Sequence, residues 1–404
     1  MLNPRKVLLV ALACAMPAAS AAAQTSAGVI PGVEVLLSDS LHLIKGKRVG
    51  LLTNHSGHNR QGVSTIDLLF KASGVKLTAL YGAEHGIRGV AKAGENYGAS
   101  VDSSTGVKVY PLYGSMQTPT AEALKDIDVL VYDIQDVGAR VYTYEWTLAN
   151  VAASARKPII ILDRPDPIRA DRIEGNILDP KFASLVGQFP VALRYGLTPG
   201  ELLRFLAGTK LIDADIKVVP MKNYRRSMWF DETKLPWVNP SPNLRNIDAE
   251  LLYPGTVFFE GTTATEGRGT DDPFTLIGAS WMTDNVAIAA ELNAMKLPGV
   301  RFDTATRAIE AGYKFGGQTI PMIKVRVTSR NDVKPVALGV HMLRAIYARH
   351  TTDFKWRERQ IDRLAGTDKL RAAVEKNTVS ALLREWDADA ARFAVSVKPY
   401  LLYR

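Results

Sequence analysis

Cysteine is almost missing from this chain: Cys14 is the one thiol among 404 residues. That excludes a disulfide framework and any cysteine-built zinc site. Histidine is sparse as well, six in all, and no H-E-x-x-H pairing occurs, so no zinc-protease helix is present. The phosphate-cradling pattern G-x-x-x-x-G-K-[ST] is missing, and no G-x-G-x-x-G follows the first strand. Both absences argue against nucleotide binding. Without G-x-S-x-G the serine hydrolases have little support. No apolar run reaches the roughly 20 residues a spanning helix needs. What is present is ordinary globular composition, 47% hydrophobic and 23% charged, with a net charge of +9. The excess basic residues are scattered rather than striped, so nucleic acid is not an expected partner.

The N-terminus reads as an export signal. Arg5-Lys6 precedes the apolar run from Val7 to Met16, and small residues then lead to Ala21-Ala22-Ala23 before Gln24. This order matches a cleaved signal peptide over residues 1–23, and Ala11-Leu12-Ala13 before Cys14 is a poor lipobox. The mature chain is expected to be periplasmic or secreted, with no cysteine.

From Arg48 onward short apolar runs alternate with helical patterns. Strands are expected over 48–54, 76–81, 128–132 and 158–162, and a helix over 64–72 with Ile66, Leu69 and Phe70 on one face. This alternation predicts an α/β fold with a parallel sheet covered on both faces. Each strand runs directly into polar residues: Asn54, Glu84-His85, Asp133 with Gln135 and Asp136, and Asp163-Arg164. Ligands of open parallel sheets bind at such carboxyl ends, so these groups are expected to share one cleft. The boundary of the first unit is expected near 190, giving 24–190 and 191–404. A strand is expected over 215–221, and amphipathic helices near 336–348 and 379–385. Residues 237–274 form a Pro- and Gly-rich polar stretch too long for a simple connector.

Glycine-flanked carboxylates are the most chemical feature left: Glu84, Glu174, Glu260 and Glu266. Paired carboxylates are the usual equipment of glycoside hydrolysis. Five motifs then occur in one order. They are Glu84-His85-Gly86-Ile87-Arg88-Gly89, Asp133 to Arg140 with Tyr142-Thr143-Tyr144, Asp163-Arg164-Pro165-Asp166-Pro167, Pro240-Ser241-Pro242-Asn243, and Glu260-Gly261-Thr262 through Gly267-Arg268-Gly269-Thr270. Together they resemble the exo-β-N-acetylmuramidase family of the NamZ type, across essentially the whole mature chain. Ala83, where many relatives carry Pro, and Glu145, where a hydrophobic residue is usual, depart from its pattern.

The resemblance implies a Rossmann-like N-terminal domain, a smaller α/β C-terminal domain and an active site in the cleft between them. It implies an exo-acting glycosidase that releases β-1,4-linked N-acetylmuramic acid from the non-reducing end of peptidoglycan fragments, with no cofactor and no metal. A non-catalytic binding protein for cell-wall sugars is the alternative. Glu84 is the expected first catalytic carboxylate and Glu174 the second, with Glu260 and Glu266 as competitors. Arg140 and Arg268, or else Arg88, are expected to grip the lactyl carboxylate of the sugar, because guanidinium matches carboxylate with two hydrogen bonds. His85, Asn54, Asp133, Gln135, Asp136, Tyr142, Asp163, Arg164, Asn243, Thr262, Glu260 and Glu266 complete the expected substrate contacts.

Overall fold

Arg48–Thr53 (β1) is an apolar segment buried along almost its whole length, and it forms the centre of a seven-stranded sheet. A computed structural model describes residues 28–84, 86–89, 98–113 and 117–404. The leader 1–23 and His85 lie outside the described residues. The remaining strands of the sheet are Lys76–Gly82 (β2), Ser100–Val101 (β3), Lys108–Pro111 (β4), Val129–Asp133 (β5), Ile159–Leu162 (β6) and, after a hairpin of Glu174–Ile177 (β7) and Ala192–Arg194 (β8), Ile216–Val219 (β9). Their spatial order is β3-β4-β2-β1-β5-β6-β9, and every pairing is parallel except β3 with β4. The parallel strands thus follow the order 3-2-1-4-5-6 of doubly wound dinucleotide-binding sheets.

The helices of this half are Gly32–Asp39 (α1), Thr65–Lys71 (α2), Ala121–Leu124 (α3), Tyr144–Ser154 (α4) and Pro199–Gly208 (α5). The start signals are local. Ser64 caps α2 by accepting from the Ile66 amide, and Thr198 and Glu201 form a capping box with Pro199 in the first turn of α5. The sheet continues past residue 190, since β9 is its last strand.

The second half holds Ile247–Thr256 (α6), Leu276–Gly278 (β10), Asn285–Ala294 (α7), Val300–Ala308 (β11), Thr319–Val327 (β12), Pro335–Arg349 (α8), Glu358–Ala365 (α9), Lys369–Glu375 (α10) and Val379–Val397 (α11). Its three-stranded sheet is antiparallel, in the order β10-β12-β11. Helix α6 lies inside the stretch expected to be irregular, where Pro254 and Gly255 disguise it. Gly255 is required there. A Cβ on it would stand 1.9 Å from the Pro335 carbonyl oxygen, and one on Gly339 would stand 2.3 Å from the Gly255 oxygen, so α6 and α8 meet backbone to backbone.

The two halves are stitched by the chain's last residues. The Tyr403 hydroxyl donates to Asp163 at 2.6 Å, and the Leu402 amide donates to Glu201 at 2.8 Å. Asp163 also accepts from the Thr198 hydroxyl and the Gly200 amide, both at 2.8 Å. Burial nevertheless pushes its carboxyl up to about 7.

Candidate active site

The switch point of such a sheet, between β1 and β5, is where a nucleotide would ordinarily enter. Here the chain itself occupies it. The Thr53 hydroxyl donates to the Asp133 carbonyl at 2.7 Å, and the Gln135 amide donates to Ser56 Oγ at 2.9 Å. Gly57 packs so closely that a Cβ would stand 2.3 Å from Thr53 Oγ1.

The polar strand ends are spent on this closure, which corrects the expectation that they contact substrate. Asp133 and Arg164 form a fully buried two-point ion pair, 2.5 and 3.0 Å, and the Thr65 hydroxyl also donates to Asp133. Asn54 accepts from the amide and hydroxyl of Ser56 at 2.8 and 2.6 Å. Gln135 donates to the Pro165 carbonyl at 2.7 Å. Asp136 accepts from the Tyr195 hydroxyl and the Gly138 amide, and burial pushes it up to about 6. Asp163 holds the start of α5 and the C-terminal tail, as described above.

A different cavity, of about 210 Å³, collects residues from both halves. Glu84 enters it from a tight turn after β2, closed by the Gly86 amide donating to the Ala83 carbonyl at 3.0 Å with Gly86 at φ +73°. Thr143 stands at the N-cap of α4, yet its hydroxyl donates to Glu84 Oε2 at 2.9 Å instead of capping the helix. Tyr113, beyond β4, faces Glu84 as well; burial and then the neighbouring carboxylate hold its phenol protonated. Tyr142 and Tyr253 form an aromatic wall with their rings edge to face at 6.0 Å. Ser241 and Asn243 arrive on the Pro240 loop, whose carbonyl at Pro240 accepts from the Tyr144 hydroxyl at 2.8 Å.

The second half contributes Glu260 and Arg268. Glu260 lies on the short helical turn Val257–Gly261 that continues α6. Gly267 and Gly269, at φ +82° and +84°, fold the following loop back so that Arg268 meets Glu260 at 2.7 Å and Glu266 at 3.1 Å. The guanidinium also lies 5.1 Å from the centre of the Phe274 ring. Lys314 pins the loop from behind, donating to the carbonyls of Phe259 and Ala264, both at 2.9 Å, and of Thr262 at 3.2 Å. Lys314 also pairs with Glu266 at 3.5 Å. Two acids and two bases therefore balance one another. Burial raises the Glu260 carboxyl, against the pull of Arg268.

Of the expected residues, Glu84, Tyr142, Asn243, Glu260 and Arg268 come together around this cavity. Several others are employed elsewhere. Glu174 lines a separate cavity and is paired with Arg194 at 2.6 Å, so the pocket around Glu84 is completed by Glu260 and not by Glu174. Arg140 has no exposed surface and donates to the carbonyls of Asn176, Val191 and Ala365 at 2.8 to 2.9 Å. It is no carboxylate ligand. Arg88 is held by Asp102 at 3.0 Å. Glu266 backs Arg268, and Thr262 donates to the Phe259 carbonyl at 3.0 Å. The departing residue Glu145 is buried against the Tyr132 hydroxyl at 3.3 Å and stands outside the pocket. Sequence reasoning missed Tyr113, Tyr253, Leu185 and Val186. Thr143 and Ser241 lie within two of the motifs but carried no expected role.

The chain has recognisable relatives. The N-terminal model of the exo-β-N-acetylmuramidase NamZ family matches residues 49–248, and its C-terminal model matches 251–403. The chain is 40% identical over 377 residues to the peptidoglycan β-N-acetylmuramidase NamZ of Bacillus subtilis, covering 92% of this chain and 91% of that protein. Two crystal structures of DUF1343 family proteins from Bacteroides fragilis superpose on it. One has a TM-score of 0.86 at 33% identity, covering 93% of this chain and 99% of the other, and the second has 0.74 at 28%, covering 94% and 99%. With both halves matched in order, the chain belongs to the NamZ family of exo-β-N-acetylmuramidases.

Proposed function

We propose that this protein is an exo-acting glycoside hydrolase that removes β-1,4-linked N-acetylmuramic acid from the non-reducing end of peptidoglycan fragments, and that it works outside the cytoplasm in cell-wall turnover. The observation that carries the reading is the single cavity where Glu84, Thr143, Asn243, Glu260 and Arg268 meet, since they come from four of the five family-like motifs. A sugar-sized cavity with an aromatic wall and two carboxylates suits glycoside cleavage, in which one carboxyl protonates the leaving oxygen and the other supports the sugar cation. Glu84 is served by hydroxyl groups and Glu260 by a guanidinium. Unlike settings are what divide a carboxylate pair into acid and base.

The test is turnover of a defined muramyl disaccharide followed by mass analysis. Wild-type protein releases free N-acetylmuramic acid, and Glu84→Gln and Glu260→Gln each lower turnover at least about a hundredfold with the fold intact. Binding without release in the wild-type protein would instead favour a cell-wall sugar receptor. Proton NMR of the first anomer formed distinguishes a retaining from an inverting outcome.

A further inference from the structure

A second cavity, of about 400 Å³, adjoins the pocket and shares Leu185, Val186, Glu260 and Leu364 with it. Its remaining walls are Ser184 and three residues of α9: Arg359, Gln360 and Arg363. Arg359 and Arg363 are four residues apart, so they lie on the same face of that helix. The acids of α9 do not serve them. Asp362 pairs with Arg371 at 2.8 Å, and Glu358 lies 3.6 Å from the same arginine. Among the described residues no carboxylate lies within ion-pair distance of either guanidinium; Arg359 is exposed and Arg363 half-buried.

The arginines first expected to hold the substrate's carboxylate are engaged. Arg140 is sealed on three carbonyls, Arg88 is on Asp102, and Arg268 is balanced by Glu260 and Glu266. The pocket itself is small, about 210 Å³, against the roughly 300–1,000 Å³ typical of ligand sites. A branched amino sugar whose ring fills it has to place its branch outside. The adjoining cavity is the larger space, lined by Leu185, Val186, Leu364 and the shared Glu260 together with the cations Arg359 and Arg363.

We propose that this cavity is the subsite for the carboxylate-bearing branch of the muramyl residue, with Arg359 and Arg363 as the residues that bind the carboxylate. The proposal rests on the muramidase reading. The carboxylate has two sources, the lactyl group of the bare sugar or the stem peptide attached to it.

Calorimetry with free N-acetylmuramic acid, muramyl dipeptide and N-acetylglucosamine, on the full mature protein and on the Arg359→Ala/Arg363→Ala double variant, separates them. The double variant is expected to lose affinity about tenfold or more for a muramyl ligand while its N-acetylglucosamine affinity holds. Loss already seen with free N-acetylmuramic acid assigns the lactyl carboxylate, and loss confined to the dipeptide assigns the stem. On a chromogenic N-acetylmuramide a lactyl role raises KM with kcat nearly constant, and the Arg359→Lys/Arg363→Lys variant recovers part of the loss. Unchanged affinity for both muramyl ligands, or equal loss for N-acetylglucosamine, overturns the proposal while leaving the muramidase reading in place. A wild-type protein that neither binds nor cleaves muramyl compounds overturns both. An unchanged melting temperature confirms that the variants fold.

Discussion

Arg140 shows how a residue type that suits a ligand is turned to support. Its guanidinium satisfies three backbone carbonyls drawn from Asn176, Val191 and Ala365, and burial lowers its proton affinity to about 9. Arg140→Ala removes the guanidinium donor from the buried Asn176 and Ala365 carbonyls, at about 1–3 kcal/mol for each, while the Val191 carbonyl keeps the Leu178 amide. The expected outcome is a loss of at least about 2 kcal/mol in denaturant unfolding, with muramyl and glucosaminyl affinities changed alike in whatever protein still folds. The sequence around Arg140 held no hint of this. Its partners lie 36, 51 and 225 residues away. Glu84, directly after β2, and Glu260, on the helical turn after α6 and next to Gly261, were both singled out as glycine-flanked carboxylates, though Glu174 stood ahead of Glu260 as the expected partner.

At the level of elements, most of the alternating strands and helices were legible because each buried strand is a short apolar run and α2 and α5 carry visible caps. Strand β1 ends at Thr53 and β5 at Asp133, close to the expected positions, and α8 matches its amphipathic pattern. What was not legible is which polar strand ends face a ligand. Asp133, Asp136 and Asp163 look alike in sequence, and their distant partners Arg164, Tyr195 and Tyr403 turn all of them inward. Helix α6 was hidden by Pro254 and Gly255, and the reason for that glycine is its contact with α8. Gly255→Ala forces a Cβ onto the Pro335 oxygen and is expected to cost about 3 kcal/mol. Because α6 carries Tyr253 and leads into Glu260, a melting curve and KM for the muramyl substrate should shift together.

The whole molecule carries an unusual load of buried acid. Asp136, Glu145, Asp163, Asp166, Glu174, Glu250 and Glu260 all have their carboxyls raised, first of all by burial, with Asp163 and Asp166 at about 7. In the unfolded chain such groups ionise near pH 4. Between about pH 4 and 7 the folded protein therefore retains protons that the unfolded chain has lost, and stability falls as pH rises. Burial of His58 and His341 pulls the other way below about pH 6.5, but two groups oppose seven. The melting temperature is expected to be higher at pH 5 than at pH 7.5, and a steady rise over that interval would contradict the account. Export adds a second expectation at this scale. We propose that the working chain begins at Gln24, and intact-mass analysis of protein recovered from outside the cytoplasm checks it.

The tail that joins Tyr403 to Asp163 also sets an order of events during synthesis. All strands of the first sheet have been made once residue 219 exists, yet the acids at its edge receive their last partners only with Leu402 and Tyr403. A nascent chain that does not yet include Leu402 and Tyr403 holds Asp163 and Glu201 without those donors. Its first half is thus short of full stability until residues 402 and 403 reach it. Full stability of the first half therefore waits on donors made long after its last strand.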